Sequence, residues 1–118
     1  MPLNNKKHEK KTPNYKKLFK FPPKIVSNEF SLWIGNNDTG FARVGVIVTK
    51  KNIKKAVFRN RSKRFAKEIF RNVKQNFINK DVVVVIKQFD NQSLSRWKKK
   101  LQELFLWLEE QTIYCSRT

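Results

Sequence analysis

Residues 58–77 have the strongest periodic pattern in the chain, and this pattern gives one helix two chemically different faces. At 100° per residue, eight mostly apolar side chains fall within about a third of the circumference, and these are Phe58, Ser62, Phe65, Ala66, Ile69, Phe70, Val73 and Phe77. The opposite side and its flanks have Asn60, Arg64, Lys67, Arg71, Lys74, Arg59 and Arg61. The pattern predicts a helix with one face in a core and a cationic face on the surface.

Two strands are predicted before this helix, because the apolar side chains there alternate. Residues 30–34 place Phe30, Leu32 and Ile34 on one face and Ser31 and Trp33 on the other. Residues 43–49 place three valines on one face and Arg43, Gly45, Ile47 and Thr49 on the other. The segment GNNDTG at 35–40 has a composition that permits positive φ, so it predicts a hairpin between these strands.

Three further elements complete the predicted order. Thr12 as N-cap, with Pro13 after it, predicts a short helix from 13 to about 20 that is ended by Pro22-Pro23. Residues 81–86 form a continuous β-branched run, which is typical of a strand covered on both faces. A last helix is indicated by the spacing of Leu94, Trp97, Leu101, Leu104 and Leu108.

Together these elements predict a single α+β domain over residues 12–113. Its mixed sheet has about four strands packed with three helices, in the order α-β-β-(β)-α-β-α, and a chain of 118 residues can fill one such core. Residues 1–11 contain too few apolar side chains to offset the entropy of ordering, so we expect a flexible basic arm there. Residues 114–118 are interpreted as a tail.

The positive charge of the chain is concentrated in a few segments. Lys and Arg number 27 against 9 Asp and Glu, a formal net charge of +18. Residues 50–71 contain ten basic residues against Glu68 alone, and residues 1–24 contain eight lysines against Glu9. A smaller basic cluster consists of Arg96, Lys98, Lys99 and Lys100. Such a charge predicts a polyanionic partner, with nucleic acid ahead of an anionic membrane, and a solvated face kept for solubility is the alternative.

Several function classes are disfavoured by the residue types present. With one Cys and one His the chain has no intramolecular disulfide and no residue set for a zinc site, and its acids are scattered. No apolar stretch approaches the roughly 18 residues of a membrane span, which favours the cytoplasm. No base is available beside a nucleophile, because the one His lies in the arm. Any reaction is therefore expected to be performed by another molecule.

The run AVFRNRSKR at 56–64, preceded by RVG at 43–45 and TKKN at 49–52, closely resembles the signature of the bacterial ribonuclease P protein component. In that family an Arg-Asn-Arg motif opens the central helix and a Lys-Lys pair closes the strand before it. The resemblance extends over residues 12–108. It implies a fold like the second domain of ribosomal protein S5, with a left-handed βαβ crossover.

The resemblance also implies a function. Family members are the non-catalytic protein subunit of an endoribonuclease in which a catalytic RNA, using Mg²⁺, removes the 5′ leader from precursor tRNA. The protein binds both RNAs and broadens substrate specificity, and it needs no tightly bound cofactor and no membrane or small-molecule partner. Two alternatives stay open, namely a module that only binds a structural RNA and a nuclease that acts through its own side chains.

The resemblance assigns two binding surfaces, and no catalytic or metal-binding residue, to this chain. The catalytic-RNA surface comprises Lys50, Lys51, Lys54, Lys55, Arg59, Asn60, Arg61, Lys63, Arg64, Lys67 and Arg71. The leader surface comprises Tyr15, Phe19, Ser31, Trp33, Arg43 and Thr49. The alternatives are a local helix-start hydrogen bond for Asn60 and a core position for Phe19 and Trp33. Because Trp33 stands where the family often has a smaller side chain or Tyr, the leader cleft is expected to be partly filled.

Overall fold

The computed structural model describes residues 12–117, with side chains described to residue 111, so the predicted basic arm lies outside the described residues. The elements are α1 (Tyr15–Leu18), β1 (Ile25–Val26), β2 (Phe30–Asn36), β3 (Arg43–Ile47), α2 (Ala56–Arg71), a 3₁₀ helix (Lys74–Phe77), β4 (Lys80–Ile86) and α3 (Leu94–Arg117). The strand order in the sheet is β1-β2-β4-β3. The predicted α+β class with three helices and a four-stranded mixed sheet is confirmed.

The predicted hairpin between β2 and β3 is wrong, because β4 lies between these strands. β4 pairs antiparallel with β2 and parallel with β3. The valine run of β4 has two apolar faces, and such a strand is most stable at the centre of a sheet. The loop after β2 therefore passes across the start of β4, where Asn37 N donates to Asn79 O at 2.8 Å. Gly40, at φ 85°, provides the predicted positive φ in this loop.

The parallel pairing of β3 with β4 makes α2 and the 3₁₀ helix a crossover connection. The apolar face predicted for α2 does pack in the core, where Ala66, Ile69 and Phe70 are buried. The prediction of one helix as far as residue 77 is wrong, since α2 ends at Arg71 and Phe77 enters the core from the 3₁₀ helix.

α1 is shorter than predicted and begins with a different cap. The side-chain oxygen of Asn14, not of Thr12, accepts a hydrogen bond from Lys17 N at 3.2 Å, so Asn14 is the N-cap. An Asn side chain satisfies a free N–H of the first turn in the way that Thr would. The helix ends at Leu18, ahead of the proline pair. β3 likewise ends at Ile47, two residues before the predicted end.

Helices cover both faces of the sheet. On one face, Phe30, Leu32, Val82, Val84 and Ile86 pack against α2 and against Trp97, Leu101, Phe105 and Leu108 of α3. The opposite face includes Trp33 and Gly35 of β2, Gly45 of β3 and Val83 of β4, and α1 packs on it. α3 continues to Arg117, so it includes most of the segment interpreted as a tail. No helix in the described part of the chain is long and apolar enough to cross a membrane.

Candidate nucleic-acid interface

The outer side of α2 and the loop before it form a cationic surface. Lys50, Lys51, Lys54 and Lys55 are exposed in the loop, and Asn60, Arg64, Lys67 and Arg71 are exposed along the helix. Arg59, Arg61 and Lys63 are half-buried on its flanks. The structure thus places all eleven residues of the predicted catalytic-RNA surface on one helix and its entry loop. We name this set the α2 surface.

Two arginines of the α2 surface also have contacts within the protein. Arg59 Nη1 donates to the carbonyl oxygens of Ile53 at 2.9 Å and Lys54 at 2.8 Å. Arg61 Nη1 donates to Asn91 Oδ1 at 2.8 Å, which joins α2 to the loop before α3. Arg59 therefore fixes the entry loop while part of its guanidinium stays available.

Asn60 has an exposed side chain at the start of α2. The local backbone hydrogen bond considered for it is not present, and within residues 12–111 its side chain has no hydrogen-bond partner. An amide with free donors and a free acceptor can bind an RNA edge or phosphate.

Three aromatic rings lie in a row beside the opposite face of the sheet. The ring centroids of Tyr15 and Phe19 are 6.1 Å apart, and those of Phe19 and Trp33 are 4.8 Å apart in an edge arrangement. Trp33 Nε1 donates to the carbonyl oxygen of Phe21 at 2.9 Å. Phe19 is 43% exposed, so it is not a core residue, whereas Trp33 is half-buried. We name Tyr15, Phe19 and Trp33 the aromatic row.

The other three residues of the predicted leader surface differ in accessibility. Ser31 and Arg43 are both 8% exposed, and Thr49 is exposed in the loop after β3. The Arg43 guanidinium is bonded to Asp81, with Nε at 2.6 Å from Oδ1 and Nη2 at 2.8 Å from Oδ2. Arg43 therefore does not present a free cation to a ligand, in contrast to its interpretation as a contact residue.

Asp81 is the residue at this site that the sequence interpretation missed. Its carboxylate also accepts from Asn37 Nδ2 at 2.7 Å and from Asn14 N at 3.2 Å, so it ties the start of α1 to the sheet. Burial by itself raises the pKa of Asp81, but the hydrogen bonds from Arg43, Asn37 and Asn14 and the charge of Arg43 together lower this pKa below its ordinary value. The pKa of the Tyr15 hydroxyl is raised by burial.

A groove continues from the aromatic row along the edge of β2. It has a volume of about 480 Å³, and Pro22, Pro23 and Ile34 are among the residues that line it. Phe21, which is 65% exposed, and Trp107 of α3 border it as well. The sequence interpretation also missed this extension, which the aromatic residue at position 21, directly before Pro22-Pro23, could have indicated.

Basic side chains without a carboxylate partner dominate the electrostatics of the described residues. Over residues 12–111 the only ion pair is that of Arg43 with Asp81, so among these residues no carboxylate forms an ion pair with a basic side chain of the α2 surface. Among the same residues, no group of three or more His, Cys, Asp and Glu is close enough to hold a metal ion. Exposed cations without partners and exposed rings are the groups that bind phosphates and stack on bases. The fold is that of a small basic α+β protein, and such surfaces are typical of the class of proteins that bind nucleic acids.

Comparisons with known proteins agree with this class. A protein-family model described as Ribonuclease P matches residues 3–109. The ribonuclease P protein component of Pseudoalteromonas translucida is 39% identical over 101 residues, which cover 84% of this chain and 72% of that protein. That of Vibrio vulnificus is 41% identical over 96 residues, covering 80% of this chain and 79% of that protein. The chain belongs to the ribonuclease P protein family.

Solved structures of RNase P proteins have the same fold. The protein from Staphylococcus aureus matches with a TM-score of 0.64 and 21% identity, over 92% of this chain and 93% of that chain. The protein from Thermotoga maritima matches with a TM-score of 0.62 and 24% identity, over 83% of this chain and 90% of that chain. The chain therefore has a known fold, that of solved RNase P proteins.

Proposed function

We propose that this chain is the RNA-binding subunit of a ribonuclease P ribonucleoprotein that removes the 5′ leader of precursor tRNA. In this proposal the α2 surface binds the catalytic RNA, and the aromatic row binds the single-stranded leader. The observation that carries the proposal is that the sheet separates the two surfaces, with α2 packed on one face and α1 on the other. Two RNAs can then bind one small protein at the same time, and we expect this to occur in the cytoplasm.

The two surfaces suit two different forms of RNA. Closely spaced cations along a helix bind the phosphates of a folded RNA through charge, without reading bases. Exposed rings stack on successive bases of a single strand and tolerate any sequence. Sequence tolerance suits a subunit whose substrates differ in their leaders. Lys50 and Lys51 follow β3 close to Thr49, so they connect the two surfaces at one end of the sheet.

This chain does not supply the hydrolytic chemistry in our proposal. The carboxylate of Asp81 holds the start of α1 against the sheet, and its oxygens are engaged by Arg43, Asn37 and Asn14. Mg²⁺ belongs to the catalytic RNA, which carries out the cleavage. The protein contributes by binding the leader and by neutralising phosphates where the two RNAs meet.

Reconstitution tests the proposal directly. The protein is added to a bacterial ribonuclease P RNA and a precursor tRNA at low magnesium, and cleavage at the mature 5′ end is measured. We expect faster cleavage with protein than with RNA alone, and no cleavage by the protein alone. No gain from the protein would favour a module for a structural RNA. Cleavage by the protein alone would favour a nuclease with its own catalytic side chains.

A further inference from the structure

The first two turns of α3 carry a group of basic residues that belongs to neither surface described so far. Between residues 94 and 100 the chain has Arg96, Lys98, Lys99 and Lys100 and no acidic residue. Arg96, Lys99 and Lys100 are exposed, and Lys98 is half-buried. We name these four residues the α3 band.

The α3 band adjoins the α2 surface through the ring of Phe65. Lys98 Nζ lies 4.1 Å from the centroid of this ring, and Arg64 Cζ lies 5.4 Å from the same centroid. A cation from each helix therefore contacts one phenyl ring. The hydrogen bond from Arg61 Nη1 to Asn91 Oδ1, at 2.8 Å, adds a second connection between the two regions. The basic side chains of α2 and α3 thus form one continuous surface.

The four residues of the α3 band extend this surface around α3, away from α2. Trp97 and Leu101 mark the side of α3 that faces the core. At 100° per residue, Lys98, Lys99, Arg96 and Lys100 follow each other around the remaining circumference, starting from the side next to α2. An extended polyanion that lies on α2 would therefore meet these residues in succession.

Within the described residues, no ion pair balances this concentration of charge. None of the four forms an ion pair with a carboxylate, and exposed Glu103, one turn along, does not pair with Lys99 or Lys100. The first turn of α3 has no acidic residue. Cations near a helix N-terminus are unfavourable because the helix dipole is positive at that end. The band therefore does not serve to stabilise its own helix, and its charge stays available to an external anion.

We propose that the RNA bound by the α2 surface continues onto α3, where the α3 band binds further phosphates of the same catalytic RNA. This inference rests on the proposed function and extends its contact area. A groove of about 530 Å³ borders the band, and Arg96 and Lys100 line it together with Glu29, Asp90, Phe89 and Trp97. Neither carboxylate forms an ion pair with Arg96 or Lys100, and because carboxylates repel phosphates, we expect the RNA to contact these two cations from the outer side of α3.

Salt-dependent binding of the full chain to a bacterial ribonuclease P RNA, without tRNA, tests the inference. The test variant replaces three exposed cations of the band, Arg96→Gln, Lys99→Gln and Lys100→Gln. The matched control removes the same charge from three exposed lysines on the α1 side, Lys16→Gln, Lys20→Gln and Lys24→Gln. Each lost phosphate contact lowers the magnitude of the slope of log K against log salt by about 0.7 to 0.9. We therefore expect this magnitude to decrease by about 2 to 3 units for the test variant and by less than one unit for the control.

A third variant separates this inference from the proposed function. Arg61→Gln with Arg64→Gln removes two cations of the α2 surface. If this variant binds weakly while the band variant behaves as the α1 control, the inference is overturned and the proposed function stands. If the magnitude of the salt slope decreases equally per removed charge in all three variants, the charge acts without a defined site, and both are overturned. An α2 variant that binds normally would overturn the proposed function by itself.

Directed cleavage gives a readout that does not depend on the stability of a triple variant. In a Cys115→Ser background, an iron chelate is attached at Lys99→Cys, at Lys67→Cys on α2 or at Glu110→Cys. Position 110 lies about 16 Å further along α3 than position 99, from the helical rise. We expect RNA cleavage from positions 67 and 99 at neighbouring nucleotides and none from position 110. No cleavage from position 99, with cleavage from position 67, contradicts the inference.

Discussion

Arg43 and Asp81 form a two-point ion pair between neighbouring parallel strands, with Nε at 2.6 Å from Oδ1 and Nη2 at 2.8 Å from Oδ2. They are also register partners of β3 and β4. Because Asp81 additionally accepts from Asn14 N, just before α1, the pair fixes α1 against the sheet face that holds Trp33. The position of the aromatic row therefore depends on a buried ion pair between two strands of the sheet.

Removal of one partner of this pair is expected to be costly. Asp81→Ala leaves the Arg43 guanidinium buried without its carboxylate, which costs about 3–5 kcal/mol in the free energy of unfolding. Urea denaturation followed by circular dichroism measures this loss. Asp38→Ala, at an exposed loop position, is the control and should change the free energy of unfolding by less than about 0.5 kcal/mol. Equal effects of the two substitutions would refute a structural role for the pair.

The pair also predicts a pH dependence of stability. The pKa of Asp81 is lower in the folded chain than the value near 3.9 expected when unfolded. The unfolded state therefore binds the proton more readily, so the stabilisation is complete above that value and is lost as pH falls through the folded pKa. Urea titrations from pH 7 to pH 3 should show the difference between wild type and Asp81→Asn shrinking only below about pH 4. A constant difference over this range would contradict the prediction.

Gly45 is expected to be required for the close approach of α1 to the sheet. A Cβ added at Gly45 would lie 2.7 Å from Tyr15 Cζ, so the Tyr15 ring must move. Gly45→Ala is therefore expected to cost about 1–3 kcal/mol of unfolding free energy. In a Tyr15→Ala background the same substitution should cost clearly less, because the clash is gone. Additive costs in the double variant, measured by urea denaturation, would show that the clash is not the cause.

Phe19 is expected to bind the leader but not mature tRNA. Phe19→Ala removes a stacking ring worth about 1–3 kcal/mol, which is about a 5- to 150-fold loss in affinity for precursor tRNA. The measurement is binding by the reconstituted ribonucleoprotein to precursor and mature tRNA. Phe41→Ala is a matched control, because Phe41 is also 43% exposed but lies in the loop across the start of β4. Equal losses for precursor and mature tRNA would argue against the aromatic row as the leader site.

Two arginines of the α2 surface are expected to differ in what they stabilise. Arg64→Ala should lower the salt slope for catalytic-RNA binding by about one unit and change the stability little. Arg59→Ala should in addition cost about 1 kcal/mol of unfolding free energy or more, because Arg59 donates to the carbonyls of Ile53 and Lys54. Binding titrations and urea denaturation of both variants separate the two effects. A stability loss confined to Arg64→Ala would reverse this assignment.

Much of the fold could be predicted because periodicity reports directly on burial. The faces of α2, β2 and α3 follow from side-chain spacing alone, and Ala66, Phe70, Leu32 and Leu101 are buried as predicted. The cap of α1 and the end of α2 could not be fixed in this way. Thr12 and Asn14 are both good caps, and the contacts of the folded chain select between them. Phe77 keeps its predicted direction even though the helix changes to a 3₁₀ turn before it.

The sequence by itself determined the charge distribution, the cationic face of α2 and the apolar faces of the main elements, because these depend only on residue type and spacing. Only the tertiary structure decided which strand is the neighbour of which. Placing β4 between β2 and β3 brings Asp81 next to Arg43, which was expected to contact a ligand and instead forms a buried pair. Tertiary packing likewise brings Lys98 of α3 to the ring of Phe65 on α2, which Arg64 also contacts. Such contacts join residues more than 30 positions apart, and no local pattern encodes them.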